Sequence, residues 1–244
     1  MKNSKLSISK IESFSCVDGP GIRTVIFFNN CPLRCKFCHN PEMQKEVNKL
    51  DISFEKLVKL ILNNKPYYKS SGGVTFSGGE PLLSQDVLLE LAKVLKKEGI
   101  SMALDTSGYV SDVNLKFLEM FDYVLLDIKA INNEGFYDIT GGNISIVDNF
   151  IENLNKINTK VIIRVVIIPE VNDTKEYTKG LKNYISKIKN VIKVEFLPFH
   201  TMGFSKYEEL NMDNPYKNKK AMDKSKCDEL YEYFLALWKE RKNE

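Results

Sequence analysis

Short runs of almost continuous apolar residues alternate along the chain with longer stretches whose apolar positions recur every three or four residues. The runs at 25–28, 74–77, 102–106, 123–128, 161–167 and 194–197 are rich in Val, Ile, Leu and Phe. They read as parallel strands covered on both faces, because such strands lack the alternation of a half-exposed sheet. The stretches between them read as amphipathic helices with legible ends. Ser53 is placed to cap a helix whose apolar face includes Phe54, Leu57, Val58 and Ile61. Ser84 is placed to cap a helix over 85–98, with Asp86 in its first turn, Lys96 and Lys97 in its last and Gly99 as its stop. Further helices are predicted over 113–120, 147–156, 174–189 and 223–241. Repeated β-then-α units imply a parallel sheet with right-handed crossovers. Six units are too few to close the usual eight-stranded barrel. The pattern therefore predicts an α/β fold, a partial (β/α)6 barrel of the TIM type with its helices outside.

At 244 residues, with 43% hydrophobic and 11% aromatic residues, the chain can bury a large core and is expected to form one domain over 1–244. The net charge of +3 is spread along the chain, which excludes a basic stripe for nucleic acid or a membrane surface. No apolar run follows Lys2, Lys5 and Lys10, so no secretory signal is expected. The longest apolar stretch, 161–169, is interrupted by Arg164 and is too short to span a bilayer. Five cysteines, an odd count without an export signal, argue for a cytoplasmic protein with reduced, metal-binding or catalytic thiols. Cys227 shares a helical stripe with Leu230, Tyr231, Phe234 and Trp238 and reads as core, and Cys16 reads as an unligated thiol.

Directly after the first predicted strand comes Cys31-Pro-Leu-Arg-Cys35-Lys-Phe-Cys38-His39-Asn40. Three thiolates this close converge on one centre only if the loop wraps around it, and soft thiolates favour iron–sulfur clusters or zinc. A cubane cluster normally takes four ligands, so three cysteines would leave one iron open. Other readings exist. Cys35-Lys-Phe-Cys38-His39 matches the haem-attachment pattern but leaves Cys31 unexplained. A zinc site of Cys31, Cys35, Cys38 and His39 satisfies a four-ligand count and would make the chain an interaction module without turnover. Three inert buried thiols are a third reading.

In a parallel barrel, ligands bind at the carboxyl ends of the strands. The second predicted strand ends in Ser77-Gly78-Gly79-Glu80-Pro81, where paired glycines let backbone approach a ligand and Glu80 supplies an anionic acceptor. A plain turn would use the same residues. The next two strands end in Asp105-Thr106-Ser107-Gly108 and Asp127-Ile128-Lys129, polar residues of a kind common at solvent-facing ends. Arg164 lies inside an apolar strand and needs an anionic partner, from either the protein or a ligand. The last strand is followed by Pro198-Phe199-His200, and the only two histidines, His39 and His200, both fall at strand ends.

On these residues the chain resembles the radical S-adenosylmethionine superfamily, whose signature is C-x3-C-x2-C with an aromatic residue, here Phe37, before the last cysteine. The resemblance implies a [4Fe-4S] cluster on Cys31, Cys35 and Cys38, with the open iron chelated by the amino and carboxylate groups of S-adenosylmethionine. Gly78-Gly79-Glu80 is similar to the segment that receives the cofactor's amino group. A finer resemblance, over about 11–225, is to the glycyl-radical-enzyme activases of the pyruvate formate-lyase branch. It is carried by Val17-Asp18-Gly19-Pro20-Gly21-Ile22-Arg23, Cys38-His39-Asn40, Asp105-Thr106, Leu126-Asp127-Ile128-Lys129, Ile163-Arg164-Val165-Val166 and Leu197-Pro198-Phe199-His200.

That resemblance implies cofactor contacts from Phe37, Cys38, His39, Gly79, Asp127, Ile128, Lys129 and His200, to which the strand-end reading adds Gly78, Glu80 and Arg164. It also implies a monovalent cation near Asp105, Thr106 and Asp127, and a target-peptide contact at Asp18. The implied reaction is reductive cleavage of the cofactor followed by hydrogen abstraction from a glycine of pyruvate formate-lyase, with flavodoxin or ferredoxin as electron donor. Two positions depart from the pattern, Ser107 where Asn is frequent and Pro81 where Ala is common, and neither removes a ligand. No cysteine lies between Cys38 and Cys227, so the Cys-rich insert of other activase branches is missing. Activation of another glycyl-radical enzyme, or a small-molecule radical reaction such as that of a deazaguanine-forming synthase, is the alternative.

Overall fold

All six apolar runs form strands, and a seventh strand precedes them. The structure, a computed structural model, describes residues 6–44 and 49–240. The strands β1 (Ile8–Ser15), β2 (Arg23–Phe28), β3 (Gly73–Gly78), β4 (Ser101–Thr106), β5 (Tyr123–Asp127), β6 (Lys160–Ile167) and β7 (Val191–Pro198) lie side by side in sequence order. From β2 to β7 the pairing is parallel, and β1 runs antiparallel to β2. Helices α1 (Phe54–Tyr68), α2 (Gln85–Lys97), α3 (Leu115–Leu118), α4 (Asn133–Thr140), α5 (Ile144–Leu154), α6 (Lys175–Ile185), α7 (Phe204–Glu209) and α8 (Lys224–Glu240) complete the fold. Lys2, Lys5 and the predicted helix end at Arg241 lie outside the described residues. No helix among the described residues is long and apolar enough to cross a membrane.

Ser53 caps α1 by accepting from Lys56 N at 3.3 Å, as its position predicts. Ser84 makes no cap bond with its side chain. Residues Pro81–Ser84 form a 3₁₀ turn that runs straight into α2, so the orphan amides lie further back, and Glu80 caps that turn through Leu82 N. The helix predicted over 113–120 contracts to α3. Cys227 is buried beside Leu230 and Phe234, while Cys16 is exposed.

Alternate residues of a strand point to opposite faces. Val74 and Phe76, Met102 and Leu104, Val124 and Leu126, and Val161 and Ile163 join the main core beneath the helices. The other set faces the barrel interior, where Ala103, Leu125 and Ile162 form a small apolar cluster of their own. Farther along the same face come Ser77, Asp105 and Asp127. The polar residues inside the apolar runs are therefore the lining of the interior, delivered there by strand periodicity.

One buried cation organises the other end of the barrel. Arg23 donates to Thr75 Oγ1 at 2.7 Å, Val74 O at 2.7 Å, Pro20 O at 3.0 Å and Ser101 O at 3.2 Å. Thr75 Oγ1 in turn donates to Asp18 O at 2.6 Å. The glycine-rich loop before β2 is thereby fastened to β3 and β4. Burial pulls the Arg23 guanidinium down to about 10, which still leaves it charged at neutral pH.

Candidate active site

The cysteine loop is shaped by backbone bonds that need no ligand. Arg34 N donates to Thr140 O and Lys36 N to Ile139 O, both at 2.9 Å, which lays the loop along the end of α4. Arg34 Nη1 donates to Cys31 O at 2.6 Å, and Cys38 N to Cys35 O at 3.0 Å. Cys31, Cys35 and Cys38 consequently line one cavity of about 480 Å³ at the carboxyl ends of the strands. Burial pushes the Cys31 thiol up to about 11 and Cys35 up to about 12, and raises Cys38 as well, while Lys129 pulls all three down. The free thiols are therefore protonated at neutral pH, and metal loading must displace protons.

Among the described residues no three His, Cys, Asp or Glu side chains are grouped to hold a single ion. A zinc centre on Cys31, Cys35, Cys38 and His39 would require such a grouping. Cubane ligands bind different irons, so three thiols that line one cavity without grouping around one ion suit a cluster better than a lone ion.

The turn after β3 faces the thiols. Gly78 has φ +118°, and a Cβ there would lie 2.3 Å from Phe28 N. At Gly79 the added carbon would lie 2.1 Å from Asn30 O, so Gly78 lets the turn pack against the end of β2 and Gly79 against the start of the cysteine loop. Both line the cavity, but Glu80 does not. Expected as a cofactor acceptor, Glu80 is turned away and fully buried. Its carboxylate accepts from Thr106 Oγ1 at 2.5 Å, Ser107 Oγ at 2.6 Å, Ser107 N at 3.0 Å and Leu82 N at 3.2 Å, which leaves no lone pair for a ligand. Burial pushes its carboxyl above the ordinary value against those bonds. Glu80 is a pin between the β3 and β4 loops. Glu80→Ala should lower stability by about 3 kcal/mol, because several buried donors lose their acceptor. An unchanged urea midpoint would show that the pin carries nothing.

Asp105 and Asp127 both line the cavity. Asp105 Oδ2 accepts from Ser77 Oγ at 2.7 Å, Oδ1 is buried without a partner, and burial raises the carboxyl despite nearby Arg164. Lys129 Nζ donates to Asp127 Oδ2 at 2.7 Å and sits 5.3 Å from the Phe37 ring centre. Burial alone would lower the Lys129 pKa, but Asp127 and Cys35 hold it above the ordinary value. Thr106 lines the wall, yet its hydroxyl is committed to Glu80.

Besides Glu80, three more expected residues, Ile128, Arg164 and Asp18, stand outside the lining. Ile128 packs in the main core, and its N–H donates to Arg164 O at 2.9 Å. Arg164 finds its anions within the protein: Glu195 at 3.2 Å, Asp105 at 3.6 Å and Asp18 at 3.9 Å, with a further bond to Val17 O. Asp18 accepts from Ser15 Oγ and lies beside that guanidinium.

His39 and His200 line the cavity together, edge to face, with ring centres 4.0 Å apart. Burial, then His200 and Lys206, lower His39 to about 4, so it is neutral at physiological pH. His200 Nδ1 is buried without a partner. Asn40, which the sequence marks only as the end of the cysteine motif, and Gln44, which it does not mark, also stand in this wall. Pro41, which opens the 3₁₀ turn Pro41–Gln44, is the local signal for Gln44. Three thiols, a cation, two close-packed glycines and two unpartnered buried polar atoms fit an iron–sulfur cluster with a polar, zwitterionic ligand beside it.

Comparisons with known proteins agree with this geometry. Residues 25–179 match the model of the radical SAM superfamily. A pyruvate formate-lyase-activating enzyme from Clostridium pasteurianum is 46% identical over 231 residues, 94% of this chain and 97% of the relative. One from Staphylococcus epidermidis is 38% identical, covering 93% of this chain and 94% of the relative. Among solved structures, a domain of a pyruvate-formate lyase-activating enzyme from Bacteroides vulgatus has a TM-score of 0.55 at 18% identity, over 68% of this chain and 94% of that one. Streptococcus suis SuiB bound to its precursor peptide has a TM-score of 0.68 at 15% identity, over 89% of this chain and 46% of that one. These structural likenesses bear on the fold, and the sequence matches decide the family: the chain belongs to the radical SAM superfamily and, within it, to the pyruvate formate-lyase-activating enzymes.

Proposed function

We propose that this protein activates pyruvate formate-lyase by reductive cleavage of S-adenosylmethionine and hydrogen abstraction from a glycine α-carbon of that partner, leaving a glycyl radical. The observation that carries the reading is one cavity in which three cysteine thiols face the polar ends of β3, β4 and β5 and the His200 ring after β7. When bound, the [4Fe-4S] cluster and S-adenosylmethionine supply the one-electron chemistry, and the protein supplies position and electrostatics.

In this reading Cys31, Cys35 and Cys38 hold the cluster and leave one iron for the cofactor. The Gly78–Gly79 backbone lets a ligand's polar end come close. Asp127, Lys129 and the His39–His200 pair supply charge and hydrogen bonds, and Phe37 supplies an apolar face. The unpartnered Asp105 Oδ1, with Asp127, suits a monovalent cation beside a carboxylate. Asp18 is held through its backbone by Thr75 and flanked by Arg164, as a fixed acceptor for an incoming peptide. The reading extends to one catalytic domain in the cytoplasm, reduced by flavodoxin or ferredoxin, with no nucleic acid or membrane involved.

Anaerobic mixing of reduced holoenzyme, S-adenosylmethionine and pyruvate formate-lyase should give the glycyl-radical doublet in electron paramagnetic resonance. Cofactor cleavage without that doublet would overturn the assignment of the partner.

A further inference from the structure

The outer side of the cysteine loop is gripped by α7, an element that the sequence reading did not contain. Lys206 Nζ donates to His39 O at 2.8 Å, Glu42 Oε1 at 2.9 Å and Asn40 Oδ1 at 3.2 Å. Tyr207 OH donates to Cys38 O at 3.0 Å. The carbonyls of the last cysteine and of the residue after it are thus fixed. A peptide unit is planar and trans, so holding the His39 carbonyl also aims the Asn40 N–H. Asn40 and Gln44 line the same cavity as Cys38, and the Asn40 N–H and the Gln44 side chain both favour negative charge on its sulfur. Glu42, buried with Oε2 unpartnered, opposes negative charge on Cys38, and Lys206 neutralises it.

Hydrogen bonds to ligating sulfurs, and local charge, help to set a cluster's reduction potential, because donors favour the more electron-rich reduced state. We propose that Lys206 and Tyr207 are positioning residues that raise the potential of the cluster by holding the 38–40 backbone so that Asn40 N–H and Gln44 address the Cys38 sulfur. Neither residue lines the cavity, so the effect does not run through cofactor contacts. The inference rests on the cluster reading above.

The test is an anaerobic redox titration of holoenzyme without S-adenosylmethionine. It compares wild type with Tyr207→Phe and with Lys206→Met/Glu42→Gln, the second change avoiding a stranded buried carboxylate. Both variants should retain iron and shift to more negative potential. At the wild-type midpoint the reduced-to-oxidised ratio should fall on the order of tenfold, about 59 mV for a one-electron couple. Lys206→Arg should restore most of the wild-type value. Potentials equal to wild type in both variants would overturn the proposal, as would loss of the cluster from Tyr207→Phe, which would make α7 a structural brace alone. If the double variant loses its cluster, Tyr207→Phe, lacking a single oxygen, decides. A wild-type protein that takes up no cluster sinks the functional reading instead.

Discussion

Alanine at any one of Cys31, Cys35 or Cys38 should abolish cleavage of S-adenosylmethionine while leaving the metal-free protein folded. The loop that carries these thiols is anchored by main-chain bonds from Arg34 and Lys36 to the end of α4, and none of those bonds involves a cysteine sulfur. The three cysteines themselves are only partly buried. Their removal should therefore change the unfolding free energy by about 1 kcal/mol or less. Its effect on chemistry should be total, because two thiolates cannot hold a cubane that normally needs three or four. Iron and sulfide content, cofactor cleavage and the urea midpoint should be measured on the same preparations. The expected result is loss of the first two with the third almost unmoved. His39→Ala separates the cluster from a zinc site: it should retain iron, since His39 is not among the proposed ligands. Normal turnover by any of the three cysteine variants would remove that residue from the ligand set.

Replacing Arg23 by methionine should have the largest effect on stability, about 3–5 kcal/mol. The side chain is fully buried, and removing it strands the Val74, Ser101 and Pro20 carbonyls and the Thr75 hydroxyl that it satisfies. Arg23→Lys keeps the charge but lacks the planar fork that reaches several acceptors at once, so it should lose an intermediate amount. The loss should extend to function in a particular way. Fastening of the loop that carries Asp18 passes through Arg23 and Thr75, whereas the cysteine loop is tied to α4. Whatever protein remains folded should still cleave S-adenosylmethionine under chemical reduction but transfer the radical poorly. Urea denaturation and the ratio of cleavage to glycyl radical check both halves. A wild-type midpoint in Arg23→Met would refute the account.

The strands were legible because parallel strands covered on both faces leave an unmistakable apolar run, and the cysteines because three thiols at that spacing have few other uses. β1 was hidden by its own irregularity. Register shifts between Ile8 and Lys10 and between Glu12 and Ser15 break the two-residue alternation that reveals an edge strand. α4 is short and contains Gly135, although Asn132 caps it and Gly141, at φ 74°, ends it, and those two residues could have marked it. At the site, residue type alone could not separate Glu80 from a ligand-binding carboxylate. Its role follows from Thr106 and Ser107, which arrive from a different strand. Arg164 had two possible kinds of anion, and only the packing of Asp105, Glu195 and Asp18 around it shows that the protein provides them. Lys206 and Tyr207 lie more than 160 positions from the backbone they hold, beyond any local pattern.

Among the described residues the sheet runs from β1 to β7 with no pairing between those two outermost strands. A cylinder missing its final staves has a slot in its flank, where a closed eight-stranded wall would admit only small molecules through its rim. A bulky macromolecule can slide one extended stretch of its main chain through such a slot while the remainder stays outside. An open flank of this kind leaves the interior reachable from the side, by a route that a closed eight-stranded wall does not offer.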